Sequence, residues 1–187
     1  MKYFLGFLVS IGLIILVFIL ILRGFSGKKT DEIPKPLVDY ANTSTLVRMT
    51  VDGSIISDQE HRSYRITVGK DATEIETLQG YQNLPLESKT FDNNQEGYAN
   101  FLRAIDLAGF AKGNSKSQNK DERGVCPNGS RVIFEILDNA SRKQRFWTTT
   151  CGGGTFKGNA PSVRQLFNRQ VPNADFSKLT GRLRLSN

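Results

Sequence analysis

The sequence predicts an α+β protein: an N-terminal transmembrane helix followed by an antiparallel β-sheet domain with two main helices packed on it. Three observations carry this. Residues 3–22 form a run of twenty residues without a charge. Further on, segments that alternate apolar and polar residues come in pairs around turn residues. Two other segments repeat apolar residues at helical spacing. Strands grouped in pairs, with helices set apart from them, fit an antiparallel sheet rather than a parallel one.

The uncharged run, YFLGFLVSIGLIILVFILIL, is the first element. At about 1.5 Å per residue it spans roughly 30 Å as a helix, the thickness of a hydrocarbon core. It is too long for the apolar part of a cleaved signal peptide, and no Ala-x-Ala site follows it. No Cys follows it directly, as a lipoprotein would need. The expected organisation is an anchor at 1–23, a spacer at 24–43 containing Pro34 and Pro36, and a soluble domain at 44–187. Two signals compete over orientation. Arg23, Lys28 and Lys29 outnumber Lys2, which favours a cytoplasmic C-terminal domain. Two cysteines outside any metal or redox motif favour an oxidising compartment. The expectation is a single-pass protein of the cell membrane with an extracytoplasmic domain.

The soluble part opens with TLVRMTVDG, where Val47, Met49 and Val51 share one face, and Arg48 and Thr50 the other. YRITV and TEIETL flank the turn Gly69-Lys70-Asp71. Centring the hairpin there sets Val68 opposite Thr73, Ile66 opposite Ile75, and Tyr64 opposite Thr77. LPLESKTFDNN reads as a connection. Asn93, with Glu96 three residues later, resembles a capping box for a helix with Tyr98, Phe101, Leu102, Ile105 and Ala108 on one stripe. Gly109 is placed to end it. RVIFEIL and RKQRFWTTTC form a second hairpin around residues 138–141. Asn159-Ala160-Pro161 starts the second helix, whose face is Val163, Leu166, Phe167 and Val171. LTGRLRL reads as a short last strand.

Cys126 opens a Cys-Pro-Asn-Gly turn, and Cys151 ends the returning strand. If hairpin partners have numbers summing to about 281, Cys151 faces the region of Ser130, and the turn can fold Cys126 back to it. A Cys126–Cys151 disulfide is expected, closing a loop of about 25 residues and stabilising by roughly 3 kcal/mol. Two buried thiols and a nucleophilic Cys are the alternatives. With two Cys and one His in the chain, a four-ligand Cys/His zinc site cannot be assembled.

The glycines of FWTTTCGGGTFKGN invite comparison with a phosphate cradle. The spacing departs from it, because Lys157 precedes Gly158 and no Ser or Thr follows the pair. A helix N-terminus can still hold an anion, so Lys157, Gly158 and Asn159 are candidate anion-binding residues. Arg142, Lys143 and Arg145, beside Phe146 and Trp147, are a second basic candidate. His61, in a polar approach to a strand, reads as a solvated or capping residue. Asp121-Glu122, and Asp58 with Glu60, read as surface carboxylates. No catalytic residue, metal site or cofactor is expected.

The layout of apolar anchor, YANFLRAIDLAGF helix, GVCPNGSRVIFEIL, FWTTTC and VRQLFNRQVPN resembles uncharacterised single-pass membrane-anchored proteins of small-genome bacteria. That resemblance implies an anchor and carries no known activity. Leu5-Gly6-Phe7 also resembles the processing site of type IV pilins, although Ile11 stands where that family has Glu. The expectation is a membrane-tethered extracytoplasmic binding or structural domain without catalytic activity, held in the bilayer through residues 3–22. A net charge of +7 leaves a second reading open, a basic surface domain that binds an anionic polymer or nucleic acid. A minor pilin-like subunit is the third.

Overall fold

In the computed structural model, residues 36–114, 121–139, 141–181 and 183 are described. The strands are β1 (Leu46–Asp52), β2 (Arg62–Val68), β3 (Ala72–Gln79), β4 (Leu84–Asp92), β5 (Arg131–Asp138) and β6 (Ser141–Thr149). The helices are α1 (Gln95–Leu107), α2 (Ala160–Asn168) and α3 (Asn173–Thr180), preceded by a 3-10 turn at Leu37–Tyr40. All six strands join one sheet in the order β4-β3-β2-β1-β5-β6, and each neighbouring pair is antiparallel. The α+β expectation therefore holds for these residues. Among them, no helix is long and apolar enough to cross a membrane. The expected anchor at 3–22 lies outside the described residues.

The sheet has two unlike faces because its strands alternate. Val47, Met49 and Val51 of β1 sit opposite Val68, Ile66 and Tyr64 of β2 on one side, and opposite Ile136, Phe134 and Val132 of β5 on the other. All are buried, and with the helices they make the core. Tyr98, Phe101, Leu102 and Ile105 of α1 and Val163 and Phe167 of α2 supply its helical layer. Aromatic rings link the layers. Phe101 meets Phe167 edge-on with centroids 5.1 Å apart, and Phe134 lies 4.5 Å from Phe156 and 5.7 Å from Phe110.

Helix starts follow local chemistry. The Asn94 side chain accepts from the Gly97 amide, so the cap is Asn94 and not Asn93, which instead donates to the Gly69 carbonyl. Asn159 caps α2 by accepting from the Ser162 amide. Gly109, at φ +82°, turns the chain out of α1. The β2–β3 register agrees with the sequence reading at Val68–Thr73, Ile66–Ile75 and Tyr64–Thr77.

Four expectations need correction. The connection at 84–94 is largely strand β4, an edge strand exposed along almost its whole length. Burial on neither face left it without alternation, and Pro85 is tolerated because the strand lies at an edge. The C-terminal stretch expected as a strand begins inside α3, whose Leu179 is buried; residues 182 and 184–187 lie outside the described set. Leu37 and Ala41, inside the expected spacer, are buried in the core, so the packed body begins upstream of residue 44. The β5–β6 register is one residue off the expected sum: Arg131 pairs with Thr149 and Ile136 with Gln144.

Cys126 and Cys151 are disulfide-bonded, with Cα atoms 5.7 Å apart. The bond closes the open end of the β5–β6 hairpin. Gly129 sits against it, where a Cβ would collide with the Cys126 sulfur and the Thr150 hydroxyl. Beyond Cys151, Gly152, Gly153 and Gly154 take φ of 83°, 80° and 109°, which L-residues disfavour. They fold the chain back onto its own strand, so that the Thr155 and Phe156 amides both donate to the Trp147 carbonyl, at 2.9 and 3.0 Å.

Nothing lies within 4 Å of a Cβ built on Gly152, whereas on Gly154 it would strike the Trp147 carbonyl oxygen. Gly152→Ala is expected to cost about 1 kcal/mol from the left-handed backbone alone. Gly154→Ala should cost more than about 2 kcal/mol, because collision adds to strain. Urea denaturation of the two variants measures the difference, and equal losses would contradict the packing described.

Candidate functional site

The helices cover one sheet face; the other carries the polar alternates. Here Arg48, Thr50 and Asp52 of β1 lie between Arg65 of β2 and Ile133 and Glu135 of β5. With His61, Tyr81, Asn83, Glu122, Arg123, Arg142 and Arg145 they line a concavity of about 340 Å³. Its rim is built by the segment before β2, the β3–β4 turn and the segment before β5.

The deepest charged group is Arg131, 1% exposed and cross-strand from Asp52. Its Nε and Nη2 donate to Asp52 Oδ2, both at 2.8 Å, Nη1 to the Val125 carbonyl at 3.3 Å, and Nη2 also to the Gly53 carbonyl. Asp52 Oδ1 lies 2.6 Å from His61 Nε2, while His61 Nδ1 lies 3.0 Å from the Ser54 carbonyl. His61 is as deeply buried as Arg131, not solvated as its polar neighbours suggest. Both ring nitrogens face oxygen acceptors, so neither is open to take a proton from a bound molecule. Tyr81 stacks on the imidazole with centroids 4.2 Å apart and planes at 17°. Its hydroxyl donates to the Ile56 carbonyl at 2.8 Å and accepts from the Ile56 amide at 3.1 Å.

A second cluster stands on β5 and β6. Glu135 pairs with Arg145 and Arg142, each at 3.7 Å, and Glu122 Oε1 accepts from Arg145. Alternation would send Arg142 and Arg145 to opposite faces. The register shift at Ile136/Leu137 makes Lys143 the extra residue, and so brings both arginines to the concave side. Lys143 reaches Asp138 at 3.5 Å instead. Glu122 is buried rather than a surface carboxylate, and its Oε2 has no hydrogen-bond partner. Its neighbour Asp121 is at the surface, where hydrogen bonds from Arg123 hold its carboxyl down to about 2.

Arg48 differs from the other arginines that line the concavity. Its Nε donates to Thr67 Oγ1 at 3.2 Å, but no carboxylate of the described residues lies within ion-pair distance. Burial, and then the neighbouring Arg65, lower its pKa below the ordinary guanidinium value, against the pull of Glu135, Glu76 and Glu74. Arg65 holds Glu76 at 3.4 Å, and its buried Nε has no partner. Two guanidinium groups thus stand together on adjacent strands with donor capacity unused.

The sequence candidates divide here. Arg142 and Arg145 belong to the concavity, and Lys143 does not line it. Lys157, Gly158 and Asn159 are elsewhere. The Lys157 and Asn159 amides donate to the Lys112 and Ala108 carbonyls, and the Ser162 amide to Asn159 itself. A Cβ on Gly158 would collide with the Gly109 carbonyl, so this helix start is packed against the end of α1. Sequence reasoning missed Arg48, Arg65, Asp52 and Tyr81. The polar alternates of β1 and β2 were the available signal, but only the β2-β1-β5-β6 order gathers them. Among the described residues, no group of His, Cys, Asp and Glu is arranged to hold a metal. The chain matches no known family model and no curated protein.

Asp52→Ala strands the buried Arg131 charge and is expected to destabilise by about 3–5 kcal/mol. Arg48→Gln removes a guanidinium from beside Arg65 and should leave stability within about 0.5 kcal/mol of the parent or raise it. Paired denaturation curves distinguish the two, and a large loss in Arg48→Gln would show that Arg48 is structural.

Proposed function

We propose that the protein is a membrane-tethered extracytoplasmic binding domain, without catalytic activity, that takes an anionic group of a ligand into the arginine-lined concavity. The observation that carries this reading is Arg48. A half-buried guanidinium with no counter-ion among the described residues, beside a second one, is unfavourable until an anion arrives. Paired guanidiniums match the flat, two-pronged geometry of carboxylate and phosphate oxygens. The uncharged run at 3–22 supports the tether, and the disulfide supports an oxidising compartment. His61 supports the absence of catalysis, since its ring nitrogens are both engaged.

Inorganic phosphate, a small anion with the oxygen geometry that paired guanidiniums match, tests the binding surface. With the full-length protein in detergent, its affinity should fall several-fold between about 50 and 200 mM salt. Arg48→Gln and Arg65→Gln should each weaken it about tenfold, the usual loss for a charge-assisted contact. Salt-insensitive binding, or variants that bind like the parent, would remove the reading. Orientation has its own measurement. A membrane-impermeant thiol reagent should label Cys126 and Cys151 on intact cells only after reduction; labelling that also requires permeabilised cells would place the domain inside.

A further inference from the structure

The anion-binding reading leaves the kind of ligand open, and the lining narrows it. Five arginines face three carboxylates, Asp52, Glu122 and Glu135. A nucleic acid or polyphosphate carries a negative charge at every unit and would meet those carboxylates at close range. A ligand with one isolated charge among neutral hydroxyl groups would not. Hydroxyls donate as well as accept, and Glu122, with Oε2 unpartnered, is short of a donor.

Tyr81 adds a second requirement. It is 44% exposed although it borders the concavity, and it is held rigidly. His61 covers one ring face, both functions of its hydroxyl are fixed on Ile56, and its amide donates to Asp58 Oδ1 at 2.8 Å. A locked, exposed aromatic ring offers a flat apolar surface at no cost in side-chain order. The apolar C–H face of a sugar ring fits it. The same concavity is lined by Asn83, a neutral amide able to donate and accept, and by Arg65. The volume of about 340 Å³ is at the small end of ligand pockets, suited to one or two rings and not to a long duplex.

Resting on the anion-binding reading, we infer that the concavity binds an acidic saccharide. Its carboxylate or other single anionic group lies on Arg48 and Arg65. One ring stacks on Tyr81, and the hydroxyls meet Asn83 and the carboxylates of the lining.

The test titrates full-length protein in detergent with three probes: sialyllactose, which carries one carboxylate among neutral hydroxyls, neutral maltotriose and a thymidine oligonucleotide. Sialyllactose is expected to bind at least about tenfold more tightly than maltotriose, the gap that one charge-assisted contact supplies. Tyr81→Leu should weaken sialyllactose several-fold, up to about tenfold, and Tyr81→Phe, which keeps the ring but loses the hydroxyl anchor on Ile56, should weaken it less than Tyr81→Leu does. Thermal melting of both variants checks that the fold survives; if Tyr81→Leu unfolds, the probe ranking decides. An oligonucleotide that binds more tightly than sialyllactose overturns the saccharide assignment and leaves the anion site standing. So does parent-like binding by a folded Tyr81→Leu. If none of the three probes binds, or if Arg48→Gln leaves sialyllactose binding unchanged, the anion-binding reading itself fails.

Discussion

Asp52 holds the centre of this molecule together by serving two buried groups at once. One carboxylate oxygen takes the guanidinium of Arg131, the other the imidazole of His61. Such a cluster is weak evidence for net stability, since an apolar trio of similar volume often does as well. Its stronger effect is on register. Asp52 ends β1, the strand shared by both halves of the sheet, and Arg131 begins β5 directly opposite. A slip of one residue would carry Asp52 to the helical face and leave Arg131 buried without a counter-charge. We therefore read the cluster as the element that specifies β1–β5 pairing, which joins residues far apart in the chain.

The same cluster organises the rim. Arg131 holds the carbonyls of Gly53 and Val125, so the chain leaving β1 and the chain entering β5 are fixed to one side chain. The Ile55 amide donates to the Pro127 carbonyl at 2.8 Å, joining those two segments directly. The disulfide then ties the second segment to the end of β6. Glu122 and Arg123 sit on that segment, a few residues before Cys126. The bond thus does more than limit the unfolded chain; it positions one wall of the concavity.

What could be read from the sequence was local. The β2–β3 hairpin has a short turn and a β-branched face, and these set its register within a dozen residues. The caps at Asn94 and Asn159 are matters of one helical turn, and even there Asn93 and Asn94 were one position apart. The disulfide was legible because the hairpin brings its partners close. The concavity was not, because it depends on β1 lying between β2 and β5, and on an inserted residue in β6. Lys143 looks no different from its neighbours in sequence, yet it sets both Arg142 and Arg145 facing inward. His61 misled for a related reason. Its neighbours are polar, and nothing local announces that Asp52 and Tyr81 enclose it. Strand β4 escaped notice because alternation marks burial on one face, and β4 is buried on neither.

Two places in the chain combined positive charge with a shape suited to anions, and comparing them shows what makes a site. The start of α2 has Lys157, four glycines just upstream (Gly152, Gly153, Gly154 and Gly158), and a helix dipole. Its leading amides, however, are spent on the end of α1 and on Asn159, so the dipole's positive end is already answered by carbonyl oxygens. The sheet face has no helix dipole at all. Its field comes from side chains whose carboxylates are unequally shared. Glu135 and Glu122 serve Arg142 and Arg145, Asp52 serves Arg131 and His61, and Glu76 serves Arg65 at the length of a weak contact. Arg48 is left over at the point where those pairings meet. On the proposed reading, an unanswered charge at the centre of an otherwise balanced cluster gives a small anion one favoured position, which a freely basic surface would not.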